Sequence, residues 1–216
     1  MTINIQINKT EKKILTLLRE YMEKYRTFNM KKVMSYLSHR IKFSSINLNQ
    51  AGIENILKAL VEKNFIVEGS KLLREEVLEN SIRKRIYDYI LSNPGIHFRG
   101  LVRNLDLSNH VVVWHINVLE RFEFIKRAEI ENREIYYDVR LHLEDIKKQY
   151  YLSKQKSQQI IQFLKSSKKS YSKTKLAKQL GMHFNTISKY LAILVEYGII
   201  DIKKKGRSTF YSLAKG

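Results

Sequence analysis

The 216-residue chain contains no cysteine, which excludes disulfides, thiol nucleophiles and thiolate metal sites. Its single proline, Pro94, leaves helices free to run elsewhere. No run reaches the roughly 18 apolar residues a membrane-spanning helix needs, so no membrane partner is expected. The opening MTINIQINKTEKK lacks an apolar signal core with a small-residue cleavage site, so a cytoplasmic protein is expected. There is no Gly-rich phosphate loop, no His-Glu-x-x-His and no Gly-x-Ser-x-Gly. The six histidines (39, 97, 110, 115, 142 and 183) show no metal-ligand spacing with neighbouring acids. An enzyme is therefore not expected, nor any catalytic residue, cofactor or metal.

Acid is also scarce, and unevenly so. Apolar residues make up 44%, enough for real cores, yet the net charge is +19. Residues 1–74 carry net +8, residues 75–150 net −1, and residues 151–216 net +12, with two acids against 14 Lys and Arg. A Lys-rich composition drifting with its genome would not skip the middle third. Charge placed in this way points to a polyanion, of which nucleic acid is the commonest.

Three stretches align without gaps: LNQAGIENILKALVEKNFI (48–66), LSNHVVVWHINVLERFEFI (107–125) and MHFNTISKYLAILVEYGII (182–200), at offsets of 59 and 75 residues. Apolar columns coincide at Ile53/Val112/Ile187, Leu57/Ile116/Leu191 and Leu60/Leu119/Leu194. Steps of four and three are the buried stripe of an amphipathic helix. Such a stripe is ordinarily core; what informs is its threefold recurrence, each time followed by an apolar pair that starts a strand. His115 falls on this stripe and is expected to be a core histidine.

In chain order, TINIQI (2–7) suits a short edge strand. Helices are expected at about 9–26 and 29–38, then a polar loop HRIKFSSIN, and a third helix capped near Asn49. FIVEGSKLL should form a brief hairpin. REEVLENSIRKRIYDYILSN should be a helix with an acidic first turn, stopped at Asn93-Pro94-Gly95. A short strand GIHF, a helix at 98–105, a turn at Asp106 and a helix capped by Ser108 follow. Strands near 124–129 and 134–139 turn at Glu131-Asn132. Residues 141–158 read as a polar linking helix. The last unit has helices at 155–167 and 173–180, with Ser170 or Ser172 as cap, and a hairpin IIDIKKKGRSTFYSL turning at Lys205-Gly206-Arg207. Three domains are thus expected: 1–74, 75–145 and 146–216.

Residues 171–213 carry the most chemistry. Ala177 is small enough for two helices to cross closely. Gly181, four residues on, takes the left-handed conformation that redirects the chain, and Ile187 anchors the second helix. On this spacing the unit resembles the winged helix-turn-helix regulators of the MarR and ArsR type. NPGIHFRGLVRNLDLSNHVVVWHINVLERFEFI is similar to archaeal regulators that carry such modules in tandem, with Val102 and Asp106 at the Ala and Gly positions. The resemblance covers about 81–139 and 155–213, and 9–73 only weakly. It implies a mainly α fold with small β wings, in three consecutive winged-helix units, the first diverged.

It also implies a DNA-binding transcriptional regulator, its second helix entering the major groove. The third unit would present His183, Asn185, Thr186 and Lys189, flanked by Lys173 and Lys175. Its wing cations Lys203, Lys204, Lys205 and Arg207 would meet the backbone or minor groove. In the second unit the matching residues are Ser108, Asn109, His110 and Val113, with Trp114 beside them and Arg127 and Arg133 on the wing. Each has a plainer reading: Trp114 as helix packing, the histidines as exposed helix starts, the charge run as solvated surface. The expected partner is double-stranded DNA, with homodimerisation through the N-terminal domain or the linking helix, and a nucleoid-associated location. Two rival readings stand beside it: a protein-interaction scaffold of the ESCRT-II-like kind, and a general DNA-binding factor of the transcription or replication machinery.

Overall fold

Short polar side chains start most of the helices. In the computed structural model, which describes residues 7–42 and 48–214, α1 (Lys9–Tyr25) opens in a reciprocal box. Asn8 Oδ1 accepts from Glu11 N, and Glu11 Oε2 accepts from Asn8 N, both at 2.8 Å. Asn29 caps α2 (Met30–Ile41) and Asn49 caps α3 (Gln50–Glu62) in the same way. A 3-10 turn (Arg74–Glu79) precedes α4 (Ser81–Ser92). Then come β1 (Ile96–His97), α5 (Phe98–Leu105), α6 (Asn109–Arg121), β2 (Ile125–Ile130) and β3 (Arg133–Asp138). The chain ends with α7 (Leu143–Ser153), α8 (Gln155–Ser167), α9 (Lys173–Leu180), α10 (Phe184–Glu196), β4 (Ile200–Lys205) and β5 (Ser208–Leu213).

Two compact units divide at Leu141/His142. The first holds two hydrophobic clusters. One is built on α1–α3 around Leu18, Leu37 and Leu57, the other on α4–α6 and a three-stranded antiparallel sheet of order β1-β3-β2. The second unit has one cluster, on α8–α10 under the β4-β5 hairpin.

The threefold repeat is present in backbone geometry as well as in the apolar stripe. All nine stripe residues are at most 2% exposed. Each such burial contributes about 2 kcal/mol. The helix starts Asn49, Ser108 and His183 occupy one column. Each long helix is left through a left-handed residue in another: Asn64 (φ 55°), Glu123 (φ 52°) and Gly198 (φ 68°). In all three the next amide bonds back five residues at 2.9 Å: Phe65 N to Leu60 O, Phe124 N to Leu119 O, and Ile199 N to Leu194 O.

Three expectations are corrected. Residues 64–73 form turns, not a hairpin. Their backbone is satisfied elsewhere, since Phe28 N donates to Ser70 O and Gly69 N to Phe28 O, both at 2.8 Å. The helix expected from Arg74 through Asn93 breaks at Asn80, whose extended backbone (φ −71°, ψ 118°) lets its side chain cap Arg83 N. The linking helix over 141–158 is also two helices, because Lys154 (ψ 133°) leaves helical geometry between α7 and α8. Residues 2–6 of the edge strand expected at 2–7 and residues 43–47 of the polar loop expected at 39–47 lie outside the described residues, while α2 continues into that loop as far as Ile41.

Candidate nucleic-acid interface

The turn of the C-terminal unit is set by one residue. Gly181 sits at φ 60°, ψ 30°, where its amide bonds back to the last turn of α9. A Cβ there would meet nothing within 4 Å, so glycine is favoured for its backbone conformation and not for space. Met182 and Ile187 then bury against α9, with Ala177 packed at the crossing. Asp106 (φ 50°, ψ 51°) makes the same turn between α5 and α6. Ser108 caps α6 by accepting from Val111 N at 3.4 Å.

At the start of α10, His183 is the capping residue, its Nδ1 accepting from Asn185 N at 3.3 Å. His183, Asn185 and Lys189 are exposed and Thr186 is half-buried. Phe184, the first residue of the helix, is 49% exposed. It is not among the groove-facing residues expected from the sequence. Its signal was there: a large aromatic lying off the Ile187/Leu191/Leu194 stripe.

The β4-β5 hairpin pairs Lys203 with Phe210, Lys204 with Thr209 and Lys205 with Ser208. Gly206 (φ 57°) and Arg207 close it as a two-residue turn. Lys203, Lys204, Lys205 and Arg207 are all exposed, and none has an ion-pair partner among the described residues. Strand alternation puts Lys203 and Lys205 on one face of the ribbon and Lys204 on the other. The hairpin is tied to the start of α9, since Tyr171 and Tyr211 exchange backbone bonds of 2.9 Å in both directions. That places Lys173 Nζ 5.9 Å from the centre of the Tyr211 ring, and Lys175 Nζ lies 5.3 Å from that of Tyr171. The structure thus brings Lys173 and Lys175 to the foot of the cationic hairpin.

The middle unit differs in charge. Ser108, Asn109, His110, Val113 and Trp114 are exposed. Arg127, however, is clamped: Nε and Nη2 donate to the two Glu120 carboxylate oxygens at 2.9 and 2.5 Å, and Nη1 donates to Glu134 at 2.8 Å. Those bonds, the Glu120 pair above all, raise its pKa further. Arg133 stands exposed beside the Glu131-Asn132 turn, where both residues have positive φ. His115 is buried on the stripe, as its position in the repeat suggests. Trp114 is 53% exposed and faces the Arg83 guanidinium at 5.3 Å, not the core.

Among the described residues no helix is long and apolar enough to cross a membrane, and no group of three or more His, Asp or Glu is placed to hold a metal.

Comparison with known proteins matches residues 80–157 to the family model of an N-terminal HTH domain and residues 156–210 to that of an HTH domain. Over 150 residues the chain is 35% identical to a Methanocaldococcus jannaschii protein named an uncharacterized HTH-type transcriptional regulator. That match covers 69% of this chain and 38% of the relative, so the chain spans well under half of the relative's length. Among solved structures, reduced HlyU from Vibrio cholerae is similar at 20% identity and TM-score 0.29, covering 50% of this chain and 100% of that one. A chain of the endosomal complex ESCRT-II (VPS22/VPS25/VPS36) is similar at 14% identity and TM-score 0.27, covering 94% and 87%. Superpositions this loose carry no argument for either function.

Proposed function

Because the chain belongs to the winged helix-turn-helix proteins, we propose that it is a DNA-binding transcriptional regulator whose principal reader is the C-terminal unit. The observation that carries this is the hairpin Lys203-Lys204-Lys205-Gly206-Arg207. Four exposed cations with no carboxylate partner among the described residues follow a helix-turn-helix in a segment with only two acids. In this reading α10 enters the major groove with His183, Asn185, Thr186 and Lys189, where Asn185 suits adenine and Thr186 a phosphate or thymine methyl. Lys173, Lys175 and the hairpin cations hold the phosphate backbone.

The middle unit is a second, weaker reader through Ser108, Asn109, His110 and Arg133. Arg127 contributes least, its charge being neutralised by Glu120 and Glu134. The N-terminal domain or α7 supplies a homodimer contact, which sedimentation measures. Such a regulator works in the cytoplasm on the nucleoid.

Salt-dependent binding to duplex DNA tests the reading. The log–log slope of affinity against salt is expected at about −3 or steeper. Replacing Lys203, Lys204, Lys205 and Arg207 together by Ala flattens it by about 2. Unchanged duplex affinity in low salt after that replacement overturns the wing assignment. No duplex binding at all moves the reading to a protein-interaction scaffold. Footprinting then separates a regulator with operators from a general factor.

A further inference from the structure

Two large apolar side chains of the C-terminal unit stand open to solvent among the described residues, Phe184 and Ile202. Ile202 lies on β4 with Tyr211 opposite it in the hairpin, so an apolar ring is at hand. Phe184 belongs neither to the unit's hydrophobic cluster nor to any pair of rings among the described residues. It does not serve the helix start either. His183 is the cap, and the first position of a helix ordinarily takes proline or an acid that suits the dipole. An aromatic there brings the helix little.

What the position does provide is reach. The Cα–Cβ bonds of a helix lean toward its N-terminus, so a side chain on the first residue of α10 projects past the helix end. That end is the one assigned above to the major groove. A phenyl ring has neither donor nor acceptor for a phosphate or a polar base edge. The apolar group that a major groove offers is the C5 methyl of thymine. The minor groove, about 6 Å wide, does not admit a helix about 10 Å across, so a wedge between base steps from that side is not open to a residue of α10.

We propose that Phe184 reads thymine, packing its ring on the C5 methyl, and so makes the C-terminal unit select A·T pairs. Asn185, exposed beside it, suits the adenine of an adjacent A·T pair. At a G·C pair the same ring meets the cytosine amino group, which loses water and gains no acceptor. The aligned residue of the middle unit, 75 positions earlier, is the polar Asn109, so the preference belongs to the C-terminal unit. This assignment deepens the DNA-binding reading and rests on it.

Two duplexes isolate the methyl: alternating A and T, and the same sequence with uracil for thymine, which lacks only that group. Fluorescence anisotropy measures the affinity of the full chain for each. Wild type is expected to favour the thymine duplex about fourfold for one buried methyl. Phe184→Ala lowers thymine-duplex affinity to the uracil level and leaves the salt slope unchanged, since no phosphate contact is lost. Phe184→Leu keeps an apolar body and most of the preference. Circular dichroism establishes that both variants fold. Equal wild-type affinities for the two duplexes overturn the assignment and leave the DNA-binding reading standing. So does a preference that survives in Phe184→Ala, which moves the methyl contact to Thr186. Equal loss on both duplexes in Phe184→Ala also overturns it, because the ring then serves something other than thymine. Wild type that binds neither duplex in low salt overturns the DNA-binding reading itself, and this assignment with it.

Discussion

His115 is 3% exposed and its Nδ1 has no partner among the described residues. Burial first, and the charge of Arg83 second, hold its pKa below the ordinary value. The unfolded chain therefore takes up the proton first. This part of the stability is complete above about pH 6.5 and is lost as pH falls from there through the folded value. His115→Leu removes an unpaired buried polar atom at similar volume. It should leave stability at pH 7 unchanged or raise it by up to about 1 kcal/mol, and urea midpoints should decline less as pH falls from about 6.5. A leucine variant less stable at every pH would refute this. Asp138, 1% exposed, behaves differently. Burial pushes its carboxyl up, but Arg140 (Nε 2.5 Å, backbone N 2.9 Å) and the Tyr87 hydroxyl (2.8 Å) outweigh that and hold it below the usual range. The same burial, with that bond, pushes Tyr87 up to about 12. A lowered carboxyl stabilises the fold above about pH 3.9 and ceases to do so as pH falls through its folded value. Asp138→Asn should cost about 2 kcal/mol at pH 7, read by thermal unfolding, and the cost should shrink as pH falls below about 3.9 through the folded value.

At the scale of elements, the two helix-turn-helix turns form a natural comparison. Gly181 and Asp106 hold nearly the same left-handed backbone. Gly181→Val should destabilise by about 1–2 kcal/mol, and Gly181→Asn by less, because the strain is that of φ alone with open space around the Cβ. Asp106→Gly should stabilise by up to about 1 kcal/mol unless the flexibility added to the unfolded chain cancels the relief. Chemical denaturation of the four proteins decides both, and equal midpoints for wild type and Gly181→Val would show that the turn carries no strain. The hairpins contrast in the same way. One keeps its cations unpaired, while the other binds Arg127 into a carboxylate clamp with Tyr136 beneath it at 5.5 Å.

Over the whole molecule, charge and titration are divided between the two compact units. The groups that lose stabilisation in acid lie in the first: His115, Asp138 and the Glu11–Lys63 pair (2.7 Å), where the Lys63 bond foremost lowers the Glu11 pKa. Residues 151–216 hold two acids, Glu196 and Asp201. Each unit has its own core, so calorimetry should resolve more than one transition. Lowering the pH from 7 to 4 should move the first unit's transition down and the second's much less. A single transition that shifts as one would contradict this.

Much of this architecture was legible because it is written locally. A stripe of period 3.6, a capping Asn or Ser and a left-handed residue after a helix each depend on neighbours within a few positions. The long helices, Gly181, the hairpin turn at Gly206 and the column of His115 could therefore be placed from the chain alone, as could the cationic surplus of its last third. The turns at 64–73 could not, since their backbone is paired with Phe28, remote in sequence; the break at Asn80 is a local cap within a stretch that the helical pattern spans. Only tertiary structure decided the fate of individual charges. Arg83 stands on a helix start like a surface arginine and is buried; Arg127 reads like a wing cation and is neutralised; Trp114 reads either as groove-facing or as helix packing and is open to solvent. Pattern tells how a residue sits on its own helix or strand, but what faces it comes from elements tens of residues away.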